Sequence, residues 1–426
     1  MDLHFNNLGM ELIQNPSELP IVYLTMEEIL SYRHTDDITI EGYSYEWEGE
    51  QVVHLHTHRV PHSFGTVGRV IFTKLDPNVS IDCENIASWV VYVSNSSTIL
   101  YKCVDGKLIE QEYQMIPSKE DLYSRNKGIL EIGILEKKHV GIIGLGSFGS
   151  QIAIELAKAG VGEFSLFDFD RVELHNLARH TCTTKDLGRL KTDAIEEAIK
   201  GKNPYANIHK YPIDILKNES LLKELIPSID LVICATDNNQ SRFSLSKILH
   251  ENQTICIFGR AITRAEGGDV FIYRPGGPCY NCLVGNIGNV SEEITNETSA
   301  RRDGTIAAYV SPEDANAMVQ VGLSADIEPI CNMMIKLSLM ELSRGQQSGI
   351  SSLEEELVYD YYMWANRRER KYANYHAMPG AGPMPTIMRW YGARIKKLEN
   401  CSICSNNIAL DEGEDIENLI LRIIED

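Results

Sequence analysis

HVGIIGLGSFGSQ, residues 139–151, is an apolar, strand-like run that ends in the loop Gly144-Leu145-Gly146-Ser147-Phe148-Gly149. Glycines at this spacing permit a tight turn and let backbone N–H groups approach a phosphate at the start of the next helix. Gly144, Gly146, Ser147 and Gly149 are therefore candidate nucleotide-binding positions. Asp168 lies 19 residues beyond Gly149, at the end of the second predicted strand, where an acid can bind ribose hydroxyls. On loop and acid alone a nicotinamide oxidoreductase leads. The alternative is an enzyme that cuts the phosphates it binds.

Apolar and helical runs alternate on either side of this stretch, the pattern of a doubly wound α/β sheet. "SQIAIELAKAG" reads as a helix closed by Gly160, "EFSLFD" as a strand, and "LKTDAIEEAIKGKNP" as an amphipathic helix ended by Gly201 and Pro204. "DLVICATD" and "TICIFG" are short, fully apolar strands of the kind buried on both faces. Residues 285–320 are polar, hold no cysteine and read as a long functional loop, after which "VGLSADIEPICNMMIKLSLMEL" resumes as a buried helix. At the end, "DIENLILRIIED" places Ile416, Leu419, Ile420, Ile423 and Ile424 on one helical face. A polar stretch near residues 116–137 marks the domain boundary. The expected organisation is a smaller α+β accessory domain over 1–116 and a larger α/β domain over 117–426.

The chain has 426 residues, 43% of them apolar, and a formal net charge of -20, which argues against nucleic acid as the main ligand. "MDLHFNNLGM" has neither a basic nor an apolar signal region, and no apolar run approaches the roughly 20 residues that span a bilayer. A cytoplasmic protein with no membrane partner is expected. Its 10 cysteines then read as metal-bound or free thiols.

The residues after Asp168 change the balance. "DFDRVELHNLARHTCTTKDLGRLK" sets Asn176, Arg179 and Lys191 just past the ribose acid. A dehydrogenase has no need of these groups, whereas cleavage of ATP between its α- and β-phosphates does, because cations neutralise the transition state and the leaving pyrophosphate. Asp237, in "CATDNNQSR", emerges from the carboxyl end of a buried strand, where it could hold magnesium, cap the helix that follows, or both.

From Gly144 to Asp237 the glycine loop, "DFD", N-L-x-R, G-x-x-K and "TDN" resemble the ThiF/MoeB superfamily, which includes the ubiquitin-activating enzymes. The resemblance covers roughly residues 120–405. It implies a Rossmann-like adenylation domain, usually dimeric, in which Asp168 binds ribose, Asn176, Arg179 and Lys191 contact phosphates, and Asp237 binds magnesium. "LYSRN" is similar to the family's R-Y-S-R motif, whose last arginine often reaches the neighbouring subunit's ATP; that makes Arg125 a candidate arginine finger or, equally, a surface arginine. There are three departures. Leu122 replaces the first arginine of that motif, Ser147 replaces the loop's usual Gly or Ala, and the spacing from Arg179 to Lys191 is one residue short.

"GPCYNC" and "ENCSIC" supply Cys279, Cys282, Cys401 and Cys404, a set that suits a tetrahedral four-thiolate zinc site or, as the alternative, free or redox thiols. The same pairs recur in the resembled family, where the metal is structural. Zinc there would tie the end of the chain to the sheet domain. Residues 283–330 lack the cysteine that thioester-forming relatives usually carry. Cys331, Cys234 and Cys256 read as buried packing. Cys182, three residues past Arg179, is the one candidate nucleophile, since nearby positive charge could lower its pKa.

In the N-terminal domain, "VVHLHTHRVPHSFGT" puts His54, His56 and His58 on one strand face, with His62 and Ser63 close behind, either as a metal site or as an exposed polar face. The stretch also resembles the H-x-H…S-x-x-D signature of the JAMM metalloproteases. Thr66 stands where that family's aspartate belongs and no upstream glutamate is identifiable, so the resemblance implies a degenerate, substrate-docking domain. The expected activity is ATP- and magnesium-dependent adenylation of the C-terminal carboxylate of a ubiquitin-like or sulfur-carrier protein. A conjugating enzyme or sulfur donor, or another thiol, sulfur or amine, would accept the acyl group. The alternatives are adenylation of a short peptide and, from another class, an NAD-dependent oxidoreductase.

Overall fold

A computed structural model describes residues 21–47, 51–60, 66–75, 88–116, 122–261, 265–287, 322–367 and 387–405. The chain divides into two compact units, Met1–Ser124 and Arg125–Asp426.

The first unit is an eight-stranded mixed sheet built from β1 (Ile21–Thr25), β2 (Thr39–Trp47), β3 (Val52–His56), β4 (Thr66–Thr73), β5 (Trp89–Val93), β6 (Thr98–Val104), β7 (Lys107–Gln111) and β8 (Gln114–Ile116). Its strand order is β7-β6-β5-β4-β2-β3-β1-β8. Period-two alternation sends Val22, Leu24, Val53 and Leu55 into a core that also takes Ile29 and Tyr32 from α1 (Met26–His34).

The second unit holds β9 (His139–Ile143), β10 (Glu163–Phe167), β11 (Asn207–Tyr211), β12 (Leu231–Cys234), β13 (Cys256–Ala261), β14 (Gly267–Tyr273), β15 (Tyr361–Ala365) and β16 (Arg389–Ala393), in the order β11-β10-β9-β12-β13-β14-β15-β16. The first five strands are parallel, as their apolar composition predicts. The last three are antiparallel, which the sequence reading did not anticipate. The connection from Ala261 to Gly267 is too short for a crossover helix, so β14 can only return alongside β13. Helices cover both faces. Helices α2 (Ser147–Ala159), α3 (Lys191–Lys200) and α6 (Ser324–Leu342) pack over Val140, Ile142 and Leu166, while α4 (Asn239–Asn252) and α5 (Tyr280–Ile287) pack over Ile143, Phe167 and Val232.

Helix α2 ends at Gly160, which takes the left-handed conformation with φ 101°. Residues 288–320 of the expected long loop, the expected helix over 415–426, and His62 and Ser63 lie outside the described residues.

Candidate active site

The chain winds outward from β9 through β10 to β11 in one direction and from β12 to β13 in the other. Such a reversal opens a crevice at the carboxyl ends of the two central strands, the usual ligand position in doubly wound sheets. The glycine loop follows β9, Asp168 follows β10, and Asp237 lies just beyond β12, so the fold brings these three sequence segments to one edge.

Two glycines are dictated by space. Gly144 has φ +87°, and a Cβ there would meet the Ala235 carbonyl oxygen at 2.8 Å. A Cβ on Gly149 would overlap the Gly144 carbonyl oxygen at 1.9 Å, so only glycine lets α2 start this close to the strand end. Helix α2 opens at Ser147 with Gly146 as N-cap and no side-chain cap, which leaves its first N–H groups for an anion.

Asp168 is buried and divided between two backbone donors. The amide of Leu145 donates to Oδ2 at 2.7 Å and that of Asp170 to Oδ1 at 2.8 Å. Lys191, the first residue of α3, is also buried; its Nζ donates to Asp170 Oδ2 at 2.8 Å and stands 3.7 Å from Asp168 Oδ2. Burial raises the Asp168 pKa above the usual carboxylate range, against the pull of Lys191 and the two amides. At Lys191 burial opposes the charge, but Asp168, Asp170 and Asp237 together outweigh it and hold the pKa above its ordinary value. The two directions fit one arrangement, because the single ammonium answers to several acids while Asp168 shares that cation with a neighbour.

Arg179 follows a short helical turn over Leu174–Ala178. Its guanidinium is half-buried and has no hydrogen-bond or ion-pair partner among the described residues, and burial lowers its pKa. The Asn176 Oδ1 accepts the Glu173 amide at 2.9 Å, which fixes the side chain at the start of this turn. Gln151 of α2 donates to the Arg179 carbonyl at 3.4 Å, so the arginine loop lies beside the first turns of α2.

Asp237 is exposed at the tip of a pinned turn, where Ser241 Oγ donates to Thr236 Oγ1 at 2.7 Å. The helix cap expected of Asp237 belongs instead to Asn238, whose side chain accepts the Ser241 amide at 2.9 Å. Asn238 sits one residue nearer the helix, at the right distance to reach its third N–H. Arg125 is exposed in a single 3-10 turn, Ser124–Asn126.

Two residues of this edge escaped the sequence reading: Asp170, the second acid of "DFD", and His180, which donates from Nε2 to the Leu145 carbonyl at 2.6 Å. The acid was visible as a repeated charge. A lone histidine after Arg179 carried no signal of its own.

Cys279, Cys282, Cys401 and Cys404 converge, with all four sulfurs within 4.8 Å of one another and all four residues buried. The Leu398 amide donates to Cys282 Sγ and Asn281 Nδ2 to Cys401 Sγ, each at 3.4 Å, the N–H···S support that thiolate ligands need. Soft, buried thiolates at tetrahedral separations fit zinc, and a closed set of four leaves no position for catalysis. Among the described residues this is the one group of three or more His, Cys, Asp or Glu side chains close enough to hold a metal.

Cys182 does not have the environment expected of a nucleophile. It is buried, and burial, helped by Asp186, pushes its thiol up to about 12 despite Arg189 and Lys191 nearby. Cys331 is likewise buried and pushed up to about 12.

In the first unit, His54 and His56 share a face of β3, with ring centroids 6.2 Å apart, but the strand ends at His56 and His58 lies beyond it. Glu28 of α1 sits 2.8 Å from His56 Nδ1, accepts the Thr57 amide at 2.6 Å, and lies 3.7 Å from His58. Burial opposes its charge, yet the bonds from His56 and Thr57 keep its pKa below the usual carboxylate range.

Comparison with known proteins gives the geometry a family context. The ThiF family model matches residues 128–354, just over half of the chain. The molybdopterin-synthase adenylyltransferase of Escherichia coli (strain K12) is 38% identical over 151 residues, which is 35% of this chain and 59% of that protein. The adenylyltransferase and sulfurtransferase MOCS3 of Anopheles gambiae is 29% identical over 238 residues, covering 54% of this chain and 52% of that one. Ubiquitin-like modifier-activating enzyme 5 of Xenopus laevis is 29% identical over 204 residues, covering 44% and 50%. The chain thus spans about half to three fifths of the length of these curated relatives. With its glycine loop, its acids and its basic residues at one sheet edge, the chain belongs to the ThiF family.

Proposed function

We propose that this chain uses ATP and magnesium to adenylate the C-terminal carboxylate of a ubiquitin-like or sulfur-carrier protein. The observation that carries the reading is the pairing of opposites at one crevice. Lys191 is buried among acids, while the half-buried Arg179 beside the N-terminus of α2 has no partner among the described residues. Hydride transfer breaks no phosphate bond and so develops no phosphate charge for such an arginine to stabilise, whereas cleavage of a triphosphate does.

In this reading the glycine loop and the first turn of α2 take the phosphates on their N–H groups. Asp168 keeps a second lone pair on each oxygen for the ribose hydroxyls, because its two amide bonds occupy one each. Arg179, Lys191 and Asn176 bind phosphate oxygens, and the two cations stabilise charge on the departing pyrophosphate. The substrate carboxylate attacks the α-phosphorus; the bond to the bridging oxygen breaks, pyrophosphate leaves, and an acyl-AMP remains. Asp237 is the residue that would hold magnesium: a hard, exposed oxygen donor near enough to be felt by Lys191. The ion would neutralise phosphate charge. Cys182, the candidate nucleophile, is buried with its thiol pushed up to about 12, so the acyl group passes to an external thiol, sulfur or amine. The four cysteines hold zinc structurally, and Arg125 serves a neighbouring copy's nucleotide in a homodimer. The names of the adenylyltransferases and of the modifier-activating enzyme that this chain resembles support the carrier-protein substrate.

The test is ATP–pyrophosphate exchange with purified chain and candidate carrier proteins, with Asp237→Ala as control. Exchange that depends on a carrier and vanishes in the control supports the proposal. Exchange with a short peptide alone would move the substrate class, and NADH binding without exchange would overturn the reading.

A further inference from the structure

We infer that His180 is a positioning residue of the nucleotide site, one that aims the Gly146 N–H at the anion by pinning the Leu145 carbonyl. The inference rests on the nucleotide reading above and adds a residue to which neither the sequence nor the comparisons give a part.

The Leu145 residue is held at both ends. Its N–H donates to Asp168 Oδ2 at 2.7 Å, and its carbonyl accepts from His180 Nε2 at 2.6 Å. The peptide joining Leu145 to Gly146 is planar and trans, so its C=O and N–H point in opposite directions. Fixing the carbonyl on His180 therefore fixes where the Gly146 N–H points. That N–H has no partner among the described residues, and a Cβ built on Gly146 meets nothing within 4 Å, so open space lies beside it. Without the histidine this plane is easily turned, since glycine tolerates the backbone angles a flip requires.

The imidazole is fixed in one tautomer by its second bond. The Cys182 amide donates to Nδ1 at 3.0 Å, so Nδ1 accepts and the ring proton must sit on Nε2. The His180 amide in turn donates to the Asn176 carbonyl at 2.9 Å, which ties the ring to the turn carrying Asn176 and Arg179. One side chain thus joins the glycine loop to the arginine loop. A charged imidazolium would need an acceptor at Nδ1, where the Cys182 amide donates and no acceptor stands among the described residues, and Lys191 nearby disfavours it further while Asp186 opposes that effect. Burial holds the ring neutral and pushes its pKa down to about 4.

Two measurements test the assignment. The first uses ligand-free protein with 15N-labelled histidine, the His180 signal being the one missing from His180→Gln. A neutral ring protonated at Nε2 from pH 8 to pH 5.5 is expected. A ring protonated at Nδ1, or one that titrates near 6.5, overturns the inference whether or not the protein binds ATP. The second compares ATP KM, carrier KM and kcat in exchange for three variants of matched melting temperature. Glutamine can present N–H where Nε2 stands, whereas asparagine reaches only the Nδ1 position. We expect His180→Ala and His180→Asn to raise the ATP KM by about ten- to hundredfold, the worth of one hydrogen bond to a charged group. His180→Gln should stay within about threefold, and carrier KM should not move. Equal loss in all three variants, or none in alanine, overturns the inference. Wild-type protein that binds no ATP sinks the nucleotide reading instead, and the tautomer measurement then decides the fate of His180 alone.

Discussion

Replacing Lys191 with methionine keeps the apolar stem to within one atom of its length and removes the ammonium, so the cost measures the buried pair. Breaking such a pair costs about 3–5 kcal/mol when the remaining charge is left without support. Asp168 is supported: it keeps the amides of Leu145 and Asp170, and the side chain of Asp170 is 48% exposed and can be hydrated. We therefore expect a cost below that range, about 2–3 kcal/mol at pH 8. The pH dependence follows from the direction of the Asp168 shift. Burial already raises its folded-state pKa, and losing Lys191 removes the charge that does most to pull it down. A carboxyl whose folded pKa lies above its unfolded value adds stability that is complete below the unfolded value and is lost as pH rises through the folded one. The deficit should therefore be largest at pH 8 and smaller at pH 5 by about 1 kcal/mol or more. Urea denaturation of both proteins at the two pH values reads this directly. Lys158→Met serves as control, because its pair with Glu155 is 47% exposed on both sides and is worth about 0.5 kcal/mol or less. A deficit that stays constant between pH 8 and pH 5, or below about 1 kcal/mol at both, refutes the buried pair.

Three further outcomes are expected. Asp237→Ala should fold with stability within about 0.5 kcal/mol of the parent, since the residue is exposed, while carrier-dependent exchange falls by about a hundredfold or more; retained exchange would remove Asp237 from the site. Elemental analysis should find about one zinc per chain, and Cys401→Ser should lose both the metal and at least about 2 kcal/mol of stability; a stable wild-type chain with no zinc after purification in its presence would refute the site. Cys182→Ser should keep exchange, and wild-type Cys182, its thiol pushed up to about 12, should resist alkylation at pH 8 until the protein is unfolded; a carrier thioester that vanishes in the serine variant would reverse that assignment.

Much of the second unit was legible because its signals are local. Gly160 closes α2 as its position after "ELAKA" requires, and the fully apolar runs became the central parallel strands. The glycine loop could be read because steric demand falls on single residues: nothing but glycine fits at Gly144 or Gly149. The four cysteines could be paired because metal geometry converts sequence spacing into a spatial claim. Antiparallel β14 was missed because strand direction depends on the length of a connection, and apolar content does not report it.

The illegible features share a different cause, for in each the deciding partner lies far off in sequence. Cys182 stands next to cations in the chain, and that placement suggested a reactive thiolate. The fold adds what the chain order hides, namely burial in a core built from residues distant in sequence, and this, with the neighbouring Asp186 carboxylate, reverses the sign of the shift. Glu28 is one acid among many until α1 brings it to His56 and Thr57, 28 and 29 residues away. Asp168 shows the same thing from the other side. Its spacing from Gly149 suggested a ribose ligand, whereas the bond its carboxylate makes in the fold is to the Leu145 amide, across 23 residues. That bond, with the one from His180 across 35 residues, holds the glycine loop at Leu145, and in the proposed nucleotide site it sets the loop's donors before any ligand arrives. Preorganisation of this kind lowers the cost of ordering on binding. It also explains why the motif residues alone carry too little information: the side chains that aim the loop lie outside it.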